Sequence, residues 1–180
     1  MTSRYLAIDL GAESGRVMLG TLEGGRIVLE EFSRFSNTPI RDGERMYWNI
    51  PALLDGIRAG LAKAGALGQT ITSVSADAWG VDYVLLDEAG EIMEPVYHYR
   101  DPRTAEGEKN VLTRVDWPPL FEETGIQYMP LNTSIQLGAE NPGRLAKAGL
   151  LLTIADAFNY LLCGIGKVEM SMASTTQLYN

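Results

Sequence analysis

Tyr5-Leu6-Ala7-Ile8-Asp9-Leu10-Gly11-Ala12-Glu13-Ser14-Gly15-Arg16-Val17 is the stretch from which the fold is read. A short apolar run delivers a carboxylate, Asp9, near its end and halts at a loop of small residues. A second run, Arg16 to Leu22, follows at once, so the glycines join two strands. That separates the loop from a Rossmann turn, which opens a helix, and the absence of Gly-Lys-Ser/Thr separates it from a Walker loop. Two readings stand. One is an ordinary hairpin turn. The other is a phosphate loop: Gly11 and Gly15 permit backbone angles closed to other residues, so amides from Gly11, Ala12, Glu13, Ser14 and Gly15 converge on an anion. In that reading Ser14 adds a hydroxyl, Arg16 a cation for phosphate oxygens, and Asp9 holds a hydrated magnesium ion.

Outward from this loop, Gly24-Gly25 is a hairpin signal, and Arg26 to Phe35 completes a three-stranded meander. Asn49 caps a helix that accepts Pro51 in its first turn. Ile50, Leu53, Leu54, Ile57, Leu61 and Ala64 recur at helical spacing, and Gly65 and Gly68 end the element. Ile71 to Ala76 and Tyr83 to Asp87 read as strands. Residues 95–105 read as loop, Glu106 to Arg114 as helix, Pro118-Pro119 as a break, and Leu145 to Leu162 as helix interrupted near Gly149. Three strands, a helix, two strands and then helices predict an α/β chain with a mixed sheet and flanking helices.

A second stretch carries chemistry. Asp77-Ala78-Trp79-Gly80-Val81-Asp82-Tyr83 sets two acids, an indole and a glycine at a strand-to-strand junction. Carbohydrate sites use such sets, an aromatic face for C–H surfaces, with carboxylates and bare backbone for hydroxyls. A buried tryptophan with turn acids is the alternative. His98 is the sole histidine, and no Gly-x-Ser-x-Gly elbow accompanies it, so it reads as a packing residue. Arg100, Asp101 and Arg103 read as ion pairs fixing a loop, Asp156 as a helix-start carboxylate, and Cys163 as a buried small hydrophobe.

Composition narrows the classes. The chain has 180 residues, 46% hydrophobic and 21% charged, enough for one ordinary core. Fifteen basic against 23 acidic residues, a net charge of −8, disfavours nucleic acid as a partner. No apolar run reaches the ~20 residues of a membrane span; the longest candidate, Gly149 to Ala155, is followed by Asp156 and Asn159. The acidic Asp9 arrives too early for a signal peptide. A single cysteine excludes an intrachain disulfide and a cysteine zinc site, so a reducing, cytoplasmic setting is expected.

Taken in order, Asp9 to Val17, Asp77 to Tyr83, Tyr99-Arg100-Asp101-Pro102-Arg103-Thr104, Thr124-Gly125-Ile126-Gln127 through Asn132-Thr133, Asp156 to Gly164 and Ala173 to Leu178 form a pattern. Over essentially its whole length the chain resembles the N-terminal part of the rhamnulokinase group within the FGGY family of carbohydrate kinases. The resemblance implies a ribonuclease-H-like (actin-like ATPase) lobe and transfer of the γ-phosphoryl of Mg-ATP to the 1-hydroxyl of L-rhamnulose. It implies that Ala12 to Arg16 meet the phosphates of ATP and that Gly80 touches the sugar through its backbone, with Trp79 and Asp82 beside it. Family members are much longer, and their second lobe carries the catalytic aspartate. Residues 1–180 are therefore expected to be an incomplete first lobe, inactive alone and with no catalytic residue of its own. Another ketose such as L-fuculose or xylulose, or a non-catalytic sugar- or nucleotide-binding module, are the rival expectations. Between Gln136 and Leu150, Gly138, Asn141-Pro142-Gly143 and Gly149 shorten a region more helical in relatives.

Overall fold

The computed structural model describes residues 2–179. In chain order the elements are β1 (Ser3–Leu10), β2 (Ser14–Glu23), β3 (Arg26–Ser36), β4 (Ile40–Asp42), β5 (Arg45–Tyr47), α1 (Ile50–Gly65), β6 (Ser73–Ala78) and β7 (Tyr83–Asp87). There follow α2 (Thr104–Leu112), α3 (Trp117–Thr124), α4 (Thr133–Gly138), α5 (Pro142–Leu145), β8 (Ala148–Thr153), α6 (Ile154–Cys163) and α7 (Met170–Ser174). They fall into two compact units, residues 1–38 with 49–79, and residues 39–48 with 80–180.

The first unit is a mixed sheet of order β3-β2-β1-β6, with β1 antiparallel to β2 and parallel to β6. The expected meander is present. Gly24 and Gly25 turn it with φ of 56° and 77°, the left-handed angles a two-residue hairpin needs. Alternation along β1 and β2 buries Leu6, Ile8, Leu10, Val17 and Leu19, each worth about 1.5–3 kcal/mol against exposure. Helix α1 lays Leu53, Ile57 and Ala64 onto that sheet. Its cap is the expected one: Asn49 Oδ1 accepts from the Ala52 amide at 3.1 Å. Gly60 lets the helix approach closely, since a Cβ there would stand 2.4 Å from Val17 Cγ2.

In the second unit β7 pairs antiparallel with β8, and α6 follows directly. The run Tyr83-Val84-Leu85-Leu86 is buried on both faces, which explains why it lacks polar alternation. Leu152, Ile154 and Phe158 complete that core. Helices α2 and α4 meet at Gly107 and Gly138; a Cβ on Gly107 would fall 2.0 Å from the Ile135 carbonyl oxygen.

Three local expectations are corrected. Residues 148–153, expected as helix, form β8, because β7 offers a ladder partner that local helical preference cannot match. Pro118-Pro119 does not break structure; it lies in the first turn of α3, where amides have no intrahelical acceptor, and Gly125 at φ 67° ends that helix. Cys163 is exposed, since the last turn of α6 runs out to the surface before Gly164.

Candidate functional site

In the first unit β1 and β6 run parallel, with Asp9 opposite Asp77 and Leu10 opposite Ala78. The Gly11–Glu13 turn and Trp79 therefore leave the same carboxyl edge of two adjacent strands. Crevices outside the carboxyl ends of strands are where open α/β sheets bind ligands. Trp79 is half-buried there.

The turn itself is tight. The Gly11 amide donates to the Ser14 carbonyl at 2.9 Å. Asn37, buried and missed in the sequence, staples the loop: its amide donates to the Glu13 carbonyl and its Nδ2 to the Gly11 carbonyl, both at 2.9 Å. No sequence signal singled out this asparagine, because its partners are 24 and 26 residues away. Its Oδ1 has no hydrogen-bond partner. Ser14, Gly15 and Arg16 belong to strand β2 rather than to the turn. Neither Gly11 nor Gly15 has a left-handed φ, contrary to expectation. Space is what requires Gly15: an added Cβ would stand 2.2 Å from Phe35 Cε2. Arg16 and Asp9, paired across the two strands, form an ion pair with both side chains about half-exposed.

Beyond Trp79 the chain enters the second unit. Gly80 is exposed, and a Cβ there would meet nothing within 4 Å. Val81 holds φ at 70°, an outlier for a β-branched residue. Its carbonyl accepts from Thr133 Oγ1 at 2.7 Å and Gln136 Nε2 at 3.2 Å. Asp82, expected against the sugar, is only 2% exposed. Its Oδ2 accepts from Trp48 Nε1 at 2.5 Å and its Oδ1 from Gln136 Nε2 at 2.8 Å. Both carboxylate oxygens thus accept hydrogen bonds from within the protein. Thr133 stood in a motif quoted from the sequence, but without a role, and Gln136 carried no signal at all.

The remaining polar residues are structural. His98 is buried, stacked on Trp48 at 4.0 Å, and its Nδ1 accepts from the Arg100 amide. Burial, with the Arg100 and Arg41 charges, holds it down to about 4, so it is neutral at pH 7. Asp101 binds Arg45 and the Met46 amide, and Arg103 binds Glu140. Asp156 accepts from Thr153 Oγ1 and from the Glu169 amide.

Among the described residues no group of three or more His, Cys, Asp or Glu side chains is placed to hold a metal ion. A hydrated magnesium bound chiefly through phosphate needs only one or two carboxylates. The half-exposed Asp9 is an acceptor suited to its water shell. No described helix is long and apolar enough to cross a membrane.

Residues 4–180 match the FGGY family of carbohydrate kinases, N-terminal domain. The chain is 41% identical over 179 residues to a rhamnulokinase of Mannheimia succiniciproducens, covering 97% of this chain and 37% of that protein. It is 40% identical over 177 residues to the rhamnulokinase of Bacillus subtilis, covering 98% and 36%. Among solved structures, the gluconate kinase of Lactobacillus acidophilus superposes with a TM-score of 0.84 at 14% identity, covering 100% of this chain and 37% of that one. Plasmodium falciparum glycerol kinase with ADP superposes at 0.76 and 16% identity, covering 98% and 38%. These likenesses show an actin-like ATPase fold, and the chain spans little more than a third of its relatives' length. With a family model matched from residue 4 to residue 180, the chain belongs to the FGGY family of carbohydrate kinases.

Proposed function

We propose that this chain is the first lobe of an ATP-dependent kinase that phosphorylates the 1-hydroxyl of L-rhamnulose. The observation that carries the reading is Gly80: an exposed glycine with open space where its side chain would be, next to an indole, in a chain about 40% identical to rhamnulokinases. A sugar hydroxyl approaches bare backbone there.

The β1–β2 hairpin, Ala12 to Arg16, meets the phosphates of ATP. Its Ser14 hydroxyl and the Arg16 guanidinium donate to phosphate oxygens, Arg16 exchanging its Asp9 partner for them. Asp9, so released, faces the water shell of magnesium; when bound, that ion neutralises charge developing on the transferring phosphoryl group. Neither Asp9 nor Asp82 is placed as the proton acceptor. In the proposed complex the first faces the water shell of magnesium, and the second is closed off by Trp48 and Gln136. The acceptor is assigned to the part of the relatives that this chain does not span.

A coupled ADP-release assay tests the reading. The protein expressed from its complete gene is expected to turn over L-rhamnulose with Mg-ATP faster than L-fuculose or xylulose, and residues 1–180 alone are expected to be inactive. Preference for another ketose overturns the substrate. Turnover by residues 1–180 that is lost in Asp9→Asn overturns the assignment of the acceptor.

A further inference from the structure

We propose that Gln136 and Thr133 of α4 are positioning residues of the sugar site: they hold the Val81–Asp82 peptide through the Val81 carbonyl, and the left-handed φ of Val81 then sets the orientation of the Gly80–Val81 peptide that presents Gly80 to the ketose. The inference rests on the reading of Gly80 as the backbone contact of the sugar.

Val81 is where the geometry points. A β-branched side chain at φ 70° crowds its own backbone, and such a residue persists only where its surroundings over-determine it. Here they do. The Val81 carbonyl accepts from both Thr133 Oγ1 and Gln136 Nε2. The same Gln136 amide nitrogen lies 2.8 Å from Asp82 Oδ1 and 3.0 Å from the Leu131 carbonyl, so its two protons are shared among three acceptors, of which Val81 is the longest. Asp82 is anchored on its other side by Trp48, and its backbone carbonyl accepts from the Ile154 amide at 3.1 Å. Gln136 is 1% exposed, so water does not compete for these bonds.

The strain has no packing use at Gly80. That residue is exposed and its flank is empty, so packing at Gly80 itself does not set the direction of the peptide that joins it to Val81. What the left-handed turn achieves is to fix the direction of an exposed peptide next to open space. Backbone recognition needs that, because a peptide group that rotates by tens of degrees no longer meets a hydroxyl. Asp82 takes its place in this scheme as a support beneath the turn.

The test uses the protein from its complete gene, with ketose and ATP kinetics and hydrogen exchange of the peptide covering Trp79 to Tyr83. Gln136→Ala is expected to raise KM for the ketose at least roughly tenfold and KM for ATP less than about twofold, a misplacement effect confined to one substrate. Amide exchange in that peptide is expected to quicken. Val81→Gly added to Gln136→Ala is expected to recover part of the lost KM, because glycine takes the left-handed angle without strain. Thr133→Val removes only the hydroxyl donor and serves where Gln136→Ala fails to fold; it is expected to shift KM for the ketose in the same direction. An unchanged ketose KM, unchanged exchange, or both KM values rising together overturns the positioning role. A parent protein that phosphorylates no ketose overturns the functional reading beneath it, and that failure is visible before any substitution is made.

Discussion

Arg103 Nη1 and Glu140 Oε2 lie 3.1 Å apart, with side chains 5% and 2% exposed. Glu140 also accepts from the Tyr83 hydroxyl at 2.7 Å and pairs with Arg144 at 2.8 Å, while Arg103 covers the Tyr97 ring. Burial alone raises the Glu140 pKa; the Tyr83 hydrogen bond and the two guanidinium charges outweigh it and leave the group below its ordinary 4.5. Removing the carboxylate strands buried positive charge, so Glu140→Ala is expected to cost about 3–5 kcal/mol in urea unfolding at pH 7. Because the folded value is depressed, this contribution is complete above the unfolded value and fades as pH falls through the folded one. Glu140→Gln should accordingly flatten the acid limb below pH 4.5. An acid limb as steep as the parent's would contradict the assignment.

Gly15 is explained by Phe35. The ring stands where a Gly15 Cβ would go, and a Cβ on Gly56 would fall 2.5 Å from the same ring. Gly15→Ala is expected to destabilise by about 1–3 kcal/mol through overpacking. Combining it with Phe35→Leu should cost less than the two single changes summed, since the smaller side chain vacates the contested space. Strict additivity in a double-mutant cycle would show that the glycine serves something other than this contact.

At Gly80 the expectation is the reverse, because its flank is empty and its φ lies outside the left-handed region. Gly80→Val should leave unfolding within about 0.5 kcal/mol of the parent. Calorimetry should nonetheless show ketose affinity falling by at least roughly a hundredfold, as expected of a displaced substrate. Retained affinity would remove Gly80 from the sugar site.

Arg16 separates the two ligands. Its guanidinium leaves Asp9 for the phosphates in the proposed complex, so Arg16→Ala should weaken ATP by about 1.5–3 kcal/mol, the worth of a charged hydrogen bond. Ketose binding should change little. An equal loss for both ligands would reduce Arg16 to a cross-strand partner of Asp9.

How much was legible follows from the range of the interactions involved. The meander, α1 with its Asn49 cap, α2, and β6 and β7 could be read because each depends on periodicity, turn glycines or a cap within a few residues. The family resemblance was equally local, carried by short motifs. Residues 148–153 could not be read, because Gly149-Leu150-Leu151-Leu152 is apolar without a period, and only the presence of β7 makes it a strand.

The site divides in the same way. By itself the sequence determined that a carboxylate lies near the end of β1, that small residues follow, and that an indole and a glycine follow β6, since these are facts of order along short segments. Only the tertiary structure decided that Gly15 answers to a ring 20 residues on, that Asn37 staples the hairpin, and that Asp82 faces inward. It also decided that Val81 is the strained residue, held by a helix more than 50 residues later in the chain. A left-handed valine has no signature in its neighbours; donors delivered from a distant helix are what make that backbone angle stable.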